Sequence, residues 1–441
     1  MKLRLYGTTA ALFALFLAGC AYLNTFYNAK TYFYEAEKEY RKNEQVTGPM
    51  RIQYNKAIEK CAKVIELYPR SRYVDDAIFI MGVSYLRLGE LGKARRKFEE
   101  LLRYYPESKY AGRAKLELAR VFLESGELVR AKDLMKELDK KEKEEGEYYL
   151  AQSFVERGNY EGALDLVKDF LKLYPKSPFK KRMLYLGAKA AMKLGEYELA
   201  RNYLDEYLSM SLKPVEKKEG QELLGDLLLE MKLYDEALDA YSSIDLPPES
   251  SEAMKIELKK AKVYEEKGEI DKAKEVYRSI FEDTKSGVQG IEAKYRLAVL
   301  LESEDSLEEA QKLFDEASKM YGQSEFKEKA SLRAQALQSL LGMEEEASVQ
   351  NRVQLAELYL FELNKPEEAL KIFEELYEED PSGRLAPKIL YSILYTRLRK
   401  LGDFEGAKKA FKDLEEKFPD SIYYQEALKN FPELSESSDE G

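Results

Sequence analysis

The 441-residue sequence has no histidine, no tryptophan, two cysteines and 13 prolines. Without histidine the chain lacks the commonest acid/base at neutral pH and the commonest metal ligand, so imidazole catalysis and histidine-held metals are excluded. Two cysteines cannot form a disulfide framework. Sparse proline leaves long stretches uninterrupted, and none of them reads as a strand. Positive charge is also short: 71 Lys and Arg face 82 Asp and Glu, a net of -11, which argues against nucleic acid as a ligand.

Charged residues make up 35% of the chain and apolar ones 44%, in helix-forming runs of Glu, Lys, Leu and Ala. The charge is uneven. Residues 21–200 carry 35 basic and 28 acidic groups, whereas residues 201–441 carry 34 and 54. This split of +7 and -20 predicts that the first half docks on an acidic partner face or acidic lipid headgroups, while the second stays solvated.

Lys2 and Arg4 precede an apolar run from Leu5 to Ala18 that is too short for a membrane span and suits a signal-peptide core. It ends in Leu17-Ala18-Gly19-Cys20, which resembles the bacterial lipobox. The resemblance implies cleavage before Cys20 and acylation there, with several acyl chains giving an essentially permanent membrane anchor. Ala21 stands where Asp resembles an inner-membrane retention signal, so the expected location is the periplasmic face of the outer membrane, with the inner membrane as the alternative. Tyr22, Phe26, Tyr27, Tyr32, Phe33 and Tyr34 follow. They are expected to pack onto the first repeat, with membrane-interface contact or a partner seat as the alternatives.

One register recurs through the rest of the chain: a Gly followed five residues later by an Ala, at Gly89 and Ala94, Gly126 and Ala131, Gly158 and Ala163, Gly195 and Ala200, Gly268 and Ala273, and Gly402 and Ala407. Ala57, Ala237, Ala310 and Ala369 continue the series without the Gly. Such a Gly closes one helix in the left-handed conformation, and the Ala marks a close helix-helix approach. Aromatic residues four after the Ala, at Phe98, Tyr241, Tyr277, Phe314, Phe373 and Phe411, fall on the same buried face. Pro69, Pro106, Pro175, Pro381 and Pro419 stop the second helices, and Ser71, Ser108, Ser177 and Ser421 are placed to cap the next start.

The unit with Ile78, Met81, Gly82, Tyr85, Ala94, Phe98 and Pro106 resembles the tetratricopeptide repeat over about residues 50 to 428, with Ile78 where Trp is usual. The fold expected is an all-α solenoid of helical hairpins forming a superhelix. The segments read as a signal peptide (1–19), a lipid-anchored aromatic helix (20–50), repeats (51–210), further repeats (211–342), C-terminal repeats (343–429) and a disordered acidic tail (430–441). An irregular joint is expected between Ala310 and Ala369, where Phe326 to Leu341 reads as an extra helix.

A lipobox followed by repeats with Tyr105-Pro106-Glu107-Ser108 is similar to the lipoprotein subunit of the outer-membrane β-barrel assembly machinery, best over residues 20 to 210. The resemblance implies a scaffold that contacts the barrel subunit and unfolded outer-membrane clients. An adaptor for cell division, cell-wall or secretion machinery is the other interaction reading. By analogy with tetratricopeptide grooves, Phe79, Val83, Leu86, Leu116, Arg120 and Leu123 are the candidate partner groove, an apolar lining suited to an amphipathic segment, or else simply packing between repeats.

No cofactor, metal or catalytic residue is expected. With 82 acidic residues, carboxylate pairs of the glycosidase type arise by chance and read as solvated ion pairs. Gly89-x-x-Gly92-Lys93 lacks the spacing and the hydroxyl of a phosphate loop, and Cys61, four after Ala57, reads as a buried thiol.

Overall fold

A computed structural model describes residues 24–42, 45–248, 250–283, 287–343, 349–361 and 364–435. Among the described residues every regular element is a helix, and consecutive helices pack as antiparallel hairpins. The chain divides into two compact units, Met1–Leu227 and Leu228–Gly441.

In the first unit the first and second helices of successive hairpins are α1 (24–42) and α2 (Gly48–Leu67), α3 (Val74–Arg87) and α4 (Leu91–Tyr104), α5 (Ala111–Glu124) and α6 (Leu128–Lys136), α7 (Lys140–Glu156) and α8 (Tyr160–Leu173), and α9 (Lys180–Lys193) and α10 (Tyr197–Ser209). The helix α11 (Pro214–Glu230) follows. The aromatic residues from Phe26 to Tyr34 lie on the first helix of the first hairpin. Phe26, Ala29, Phe33 and Ala36 form a buried stripe at helical spacing, and Phe33 meets Tyr54 of α2 edge-on with ring centres 6.4 Å apart.

The second unit carries α12 (Tyr234–Ser242), α13 (Ser251–Lys267), α14 (Ile270–Asp283), α15 (Val288–Ser303), α16 (Leu307–Lys319), α17 (Glu325–Met343), α18 (Val349–Phe361), α19 (Pro366–Glu379), α20 (Ala386–Tyr395), α21 (Phe404–Lys417), α22 (Ile422–Asn430) and α23 (Pro432–Ser435). One core runs from Met254 to Leu337 and a second from Val353 to Leu434. The long α17 is the extra helix in the irregular interval, and the acidic turn at residues 344–346 lies outside the described residues. After α20 the ladder widens to a π-turn over Thr396–Lys400. The Thr396 hydroxyl donates to the Ser392 carbonyl at 2.7 Å, and the Leu401 amide reaches back to the Thr396 carbonyl. Phe431 and Leu434 are buried, so ordered chain extends to Ser435, beyond the expected boundary at 429, and residues 436–441 lie outside the description.

The six glycines at hairpin turns all have positive φ, from 69° at Gly402 to 83° at Gly126 and Gly268. Where Gly is replaced the backbone keeps the same conformation, with φ of 60° at Lys232, 64° at Asp305 and 53° at Asn364. The turn is dictated by the packing of the two helices rather than by the residue in it. A lysine there is strained by about 1 kcal/mol. Lys232→Gly is therefore expected to raise the denaturation midpoint, and an unchanged or lower midpoint in urea titration would contradict this reading.

The Ala of each second helix and the large side chain four residues on form the seam of the hairpins, where Ala94, Phe98, Val167, Leu204, Tyr277, Phe314 and Phe373 have no exposed surface. Full burial of each large side chain contributes about 2–3 kcal/mol. One sequence expectation needs correction. Ser421 does cap its helix, accepting from the Tyr424 amide at 3.1 Å, but Ser71, Ser108 and Ser177 accept from the amide two residues on. They fold the loop itself, and Tyr73, Tyr110 and Phe179 occupy the cap positions without a side-chain cap bond.

Candidate functional site

In the first unit the first helices bring an arginine- and tyrosine-rich surface together. A cavity of about 390 Å³ is lined by Arg41 and Tyr40 of α1, Arg87 of α3, Arg113 and Arg120 of α5, Tyr149 and Gln152 of α7, and Arg182 of α9. The contributions come from the last turns of α1 and α3, the length of α5, the middle of α7 and the start of α9, so the surface crosses five hairpins.

Four of the five guanidiniums are set by specific partners. Arg87 donates to Glu37 through Nε at 3.0 Å, lies over the Tyr40 ring at 4.4 Å, and is almost wholly buried. The Tyr54 hydroxyl donates to the same carboxylate at 2.8 Å. Arg113 forks onto Glu145, with Nη2 to Oε1 at 2.9 Å, and also meets Glu117 at 2.6 Å. Arg120 pairs with Glu124 at 3.0 Å and stacks over Tyr149 at 4.9 Å. Arg182 lies over Tyr148 at 5.3 Å. Arg41 lines the cavity, is exposed and forms no ion pair among the described residues. Five arginines thus face four carboxylates, Glu37, Glu117, Glu124 and Glu145, and the excess positive charge is that of Arg41.

Burial raises Glu145, but the bonds and charge of Arg113 outweigh it and hold this carboxyl below the usual range. Tyr54, Tyr110, Tyr149 and Tyr207 are pushed up first by burial and then by neighbouring charges, and Tyr185 rises to about 12. Phenols in the unfolded chain titrate near 10. These raised groups contribute stability that is complete below about pH 10 and is lost as pH rises through it. Spectrophotometric titration of the phenolates at alkaline pH is expected to show a fraction that ionises only as helical circular dichroism falls. Reversible ionisation of every tyrosine near pH 10 with the helix intact would contradict this.

Of the six groove residues read from sequence, Arg120 lies on the arginine and tyrosine surface itself and Phe79, Val83 and Leu123 border it. Phe79 and Val83 line a cavity of about 460 Å³ with Phe33, Tyr34 and Tyr110, and Phe79 stacks on Tyr110 with ring centres 4.4 Å apart. Arg120 and Leu123 line another of about 490 Å³ with Tyr149 and Arg157. Leu86 and Leu116 are buried. Leu116 faces the α5–α7 contact, 3.4 Å from where a Cβ on Gly146 would stand. Charged side chains stand beside Phe79, Val83 and Leu123 in these linings, while Leu86 and Leu116 are taken up by packing between helices, the other reading the sequence left open. Cys20 lies outside the described residues, whereas Cys61 is a free, fully buried thiol whose pKa burial raises.

Arg41, Arg87, Arg113 and Arg182 were missed, although a signal exists for Arg113 and Arg182. Counting thirteen residues back from each turn residue gives Asp76, Arg113, Glu145, Arg182, Glu219, Lys255 and Glu292, which alternate in sign through seven successive units. Alternation places opposite charges on neighbouring first helices, as in the Arg113–Glu145 pair.

Among the described residues no cluster of acidic or cysteine side chains could hold a metal, and no helix is long and apolar enough to cross a membrane. Residues 85–153, 185–251 and 395–421 match the tetratricopeptide repeat. Residues 133–207 match subunit 3 of the anaphase-promoting complex, and residues 259–365 match a domain of unknown function. No curated protein matches the sequence. Solved structures with similarity include the apo quorum sensor NprR from B. thuringiensis (TM-score 0.43, 16% identity, 78% of this chain and 99% of that one). A tetratricopeptide repeat protein from Parabacteroides merdae has a TM-score of 0.37 and 18% identity, covering 65% of this chain and 97% of its own. PilF of Pseudomonas aeruginosa has a TM-score of 0.33 and 16% identity, with the same coverage. The matched repeats and the hairpins around them make this chain a tetratricopeptide-repeat protein with an all-α solenoid fold, the architecture of a protein–protein interaction scaffold.

Proposed function

We propose that the protein is a lipid-anchored scaffold on the periplasmic face of the outer membrane, whose first unit holds acidic, aromatic-bearing segments of partner proteins during outer-membrane protein assembly. The observation that carries the reading is the basic, aromatic surface crossing α1, α3, α5, α7 and α9, with the guanidiniums of Arg87, Arg113 and Arg120 held in place by carboxylates. Prepositioned arginines and tyrosines bind carboxylates and rings with little loss of rotamer freedom, which favours a protein ligand over a small metabolite. The Leu17-Ala18-Gly19-Cys20 motif supports the anchor, and the Tyr-Pro-x-Ser loops support the assembly role.

The test is affinity capture of the intact chain from detergent-solubilised, mildly cross-linked envelopes. Recovery of a β-barrel insertase is expected; recovery of division or cell-wall proteins instead overturns the assembly role. Cys20→Ser is expected to move the chain from the membrane to the soluble fraction, and retention on the membrane with high-salt washing would refute the acyl anchor.

A further inference from the structure

We infer that one edge of the first unit lies on the bilayer surface, against anionic lipid headgroups, and so fixes the orientation of the arginine surface above the membrane. The inference rests on the anchor reading of Cys20 for its tether.

In an array of antiparallel hairpins the starts of first helices and the ends of second helices share one edge, while the tight turns share the opposite one. Contacts confirm the first edge here. Phe26 near the start of α1 stacks on Tyr73 at 4.6 Å, Ser108 after α4 donates to Asp75 at the start of α3 at 2.7 Å, and Tyr148 of α7 stacks on Phe179 before α9 at 5.6 Å.

Along this edge stand large apolar side chains in water: Tyr27 is 68% exposed, Leu67 61%, Tyr104 67%, Leu173 65% and Val215 49%. Leu67, Tyr104 and Leu173 occupy one repeat position, the last residue of α2, α4 and α8, each two before a proline. A single exposed leucine needs no explanation. Recurrence at one position on one edge does, because core packing cannot select for a side chain that touches no core. Exposed Arg70, Arg103, Lys140, Lys172 and Lys176 stand among them, and basic groups outnumber acidic ones along the edge. Tyrosines and leucines flanked by Lys and Arg are the chemistry of the membrane interface.

The tether selects the same edge. Residues 20–23 separate the acylated cysteine from the start of α1 and reach at most ~14 Å. A first helix such as α3, with 14 residues, is about 21 Å long, so the turn edge lies beyond that reach.

The full chain, acylated at Cys20 and placed in vesicles of phosphatidylethanolamine and phosphatidylglycerol doped with nitroxide lipid, tests this. An azide-bearing residue replacing Tyr104, Leu173 or, on the turn edge, Val129 carries a small fluorophore. Quenching at 104 and 173 is expected to exceed that at 129 at least three-fold and to weaken when phosphatidylglycerol is omitted. Equal quenching at all three positions overturns the inference, including the case where a partner protein or a second copy covers this edge. If Cys20 proves not to be acylated, the anchor reading fails by itself. Residues 20–441 coupled through Cys20 to a maleimide lipid then give the same comparison, in which stronger quenching at 104 and 173 supports the inference and equal quenching overturns it. Leu67→Ser with Tyr104→Ser and Leu173→Ser is expected to abolish the difference between a label at 176 and one at 129 with helix content unchanged; an undiminished difference would contradict the proposal.

Discussion

Arg87→Ala is expected to destabilise the chain by about 3–5 kcal/mol, the range for removing one partner of a buried ion pair. The Arg87 and Glu37 side chains are 7% and 9% exposed, so alanine at 87 leaves a carboxylate stranded between α1 and α3 with the Tyr54 hydroxyl as its remaining described partner. Desolvation decides the size of the effect. The Lys42–Glu39 pair has the same chemistry at 58% and 48% exposure, and breaking it is expected to change stability little. The buried pair is not predicted to be worth its deletion value, since two apolar residues of similar shape replace such pairs at small cost. Glu37→Leu with Arg87→Met is therefore expected to recover most of the loss. Urea unfolding followed by circular dichroism, with hydrogen exchange in residues 24–42, measures both. A loss below about 1 kcal/mol for Arg87→Ala would show that water reaches the pair.

Phe98→Ala is expected to cost a further, independent 3–5 kcal/mol or so. Its ring has no exposed surface and sits so close to α3 that a Cβ built on Gly82 would stand 2.6 Å from it. The same closeness makes Gly82→Ala an overpacking change of about 1–3 kcal/mol. The two are coupled: Phe98→Leu frees the space a methyl at 82 needs, so Gly82→Ala with Phe98→Leu should be less destabilised than the sum of the single changes. Strict additivity would mean that the backbones, not the ring, set the α3–α4 distance. In an array, loss of one seam weakens its neighbours, so exchange should rise in α2 and α5 as well.

The parts legible in the sequence are those fixed by local chemistry. Gly89 with Ala94, Phe98 and Pro106 predicts a turn, a close approach, a buried ring and a helix stop, each set by residues a few positions apart, and all are observed. The cap assignments failed at Ser71, Ser108 and Ser177 because a hydroxyl serves an amide two or three residues on equally well in sequence. The membership of α1 in the first hairpin was hidden because residues 43–47 join it to α2 without the Gly and Ala spacing. The arginine surface was illegible for a different reason. Whether a polar residue on a first helix faces solvent or the other first helices depends on how sharply successive hairpins rotate, and no single repeat encodes that rotation. Only the sign alternation from Asp76 to Glu292, a property of the series, carries a trace of it.

The most direct test of the interaction role is photo-cross-linking in intact cells from Gln152, on the arginine and tyrosine surface, compared with Val129 on the turn edge. The account predicts a discrete adduct from 152, containing an outer-membrane assembly protein, that is lost on Arg41→Glu with Arg120→Glu and absent from 129. Adducts of equal yield from both positions, or an adduct from 152 indifferent to both charge reversals, would contradict it.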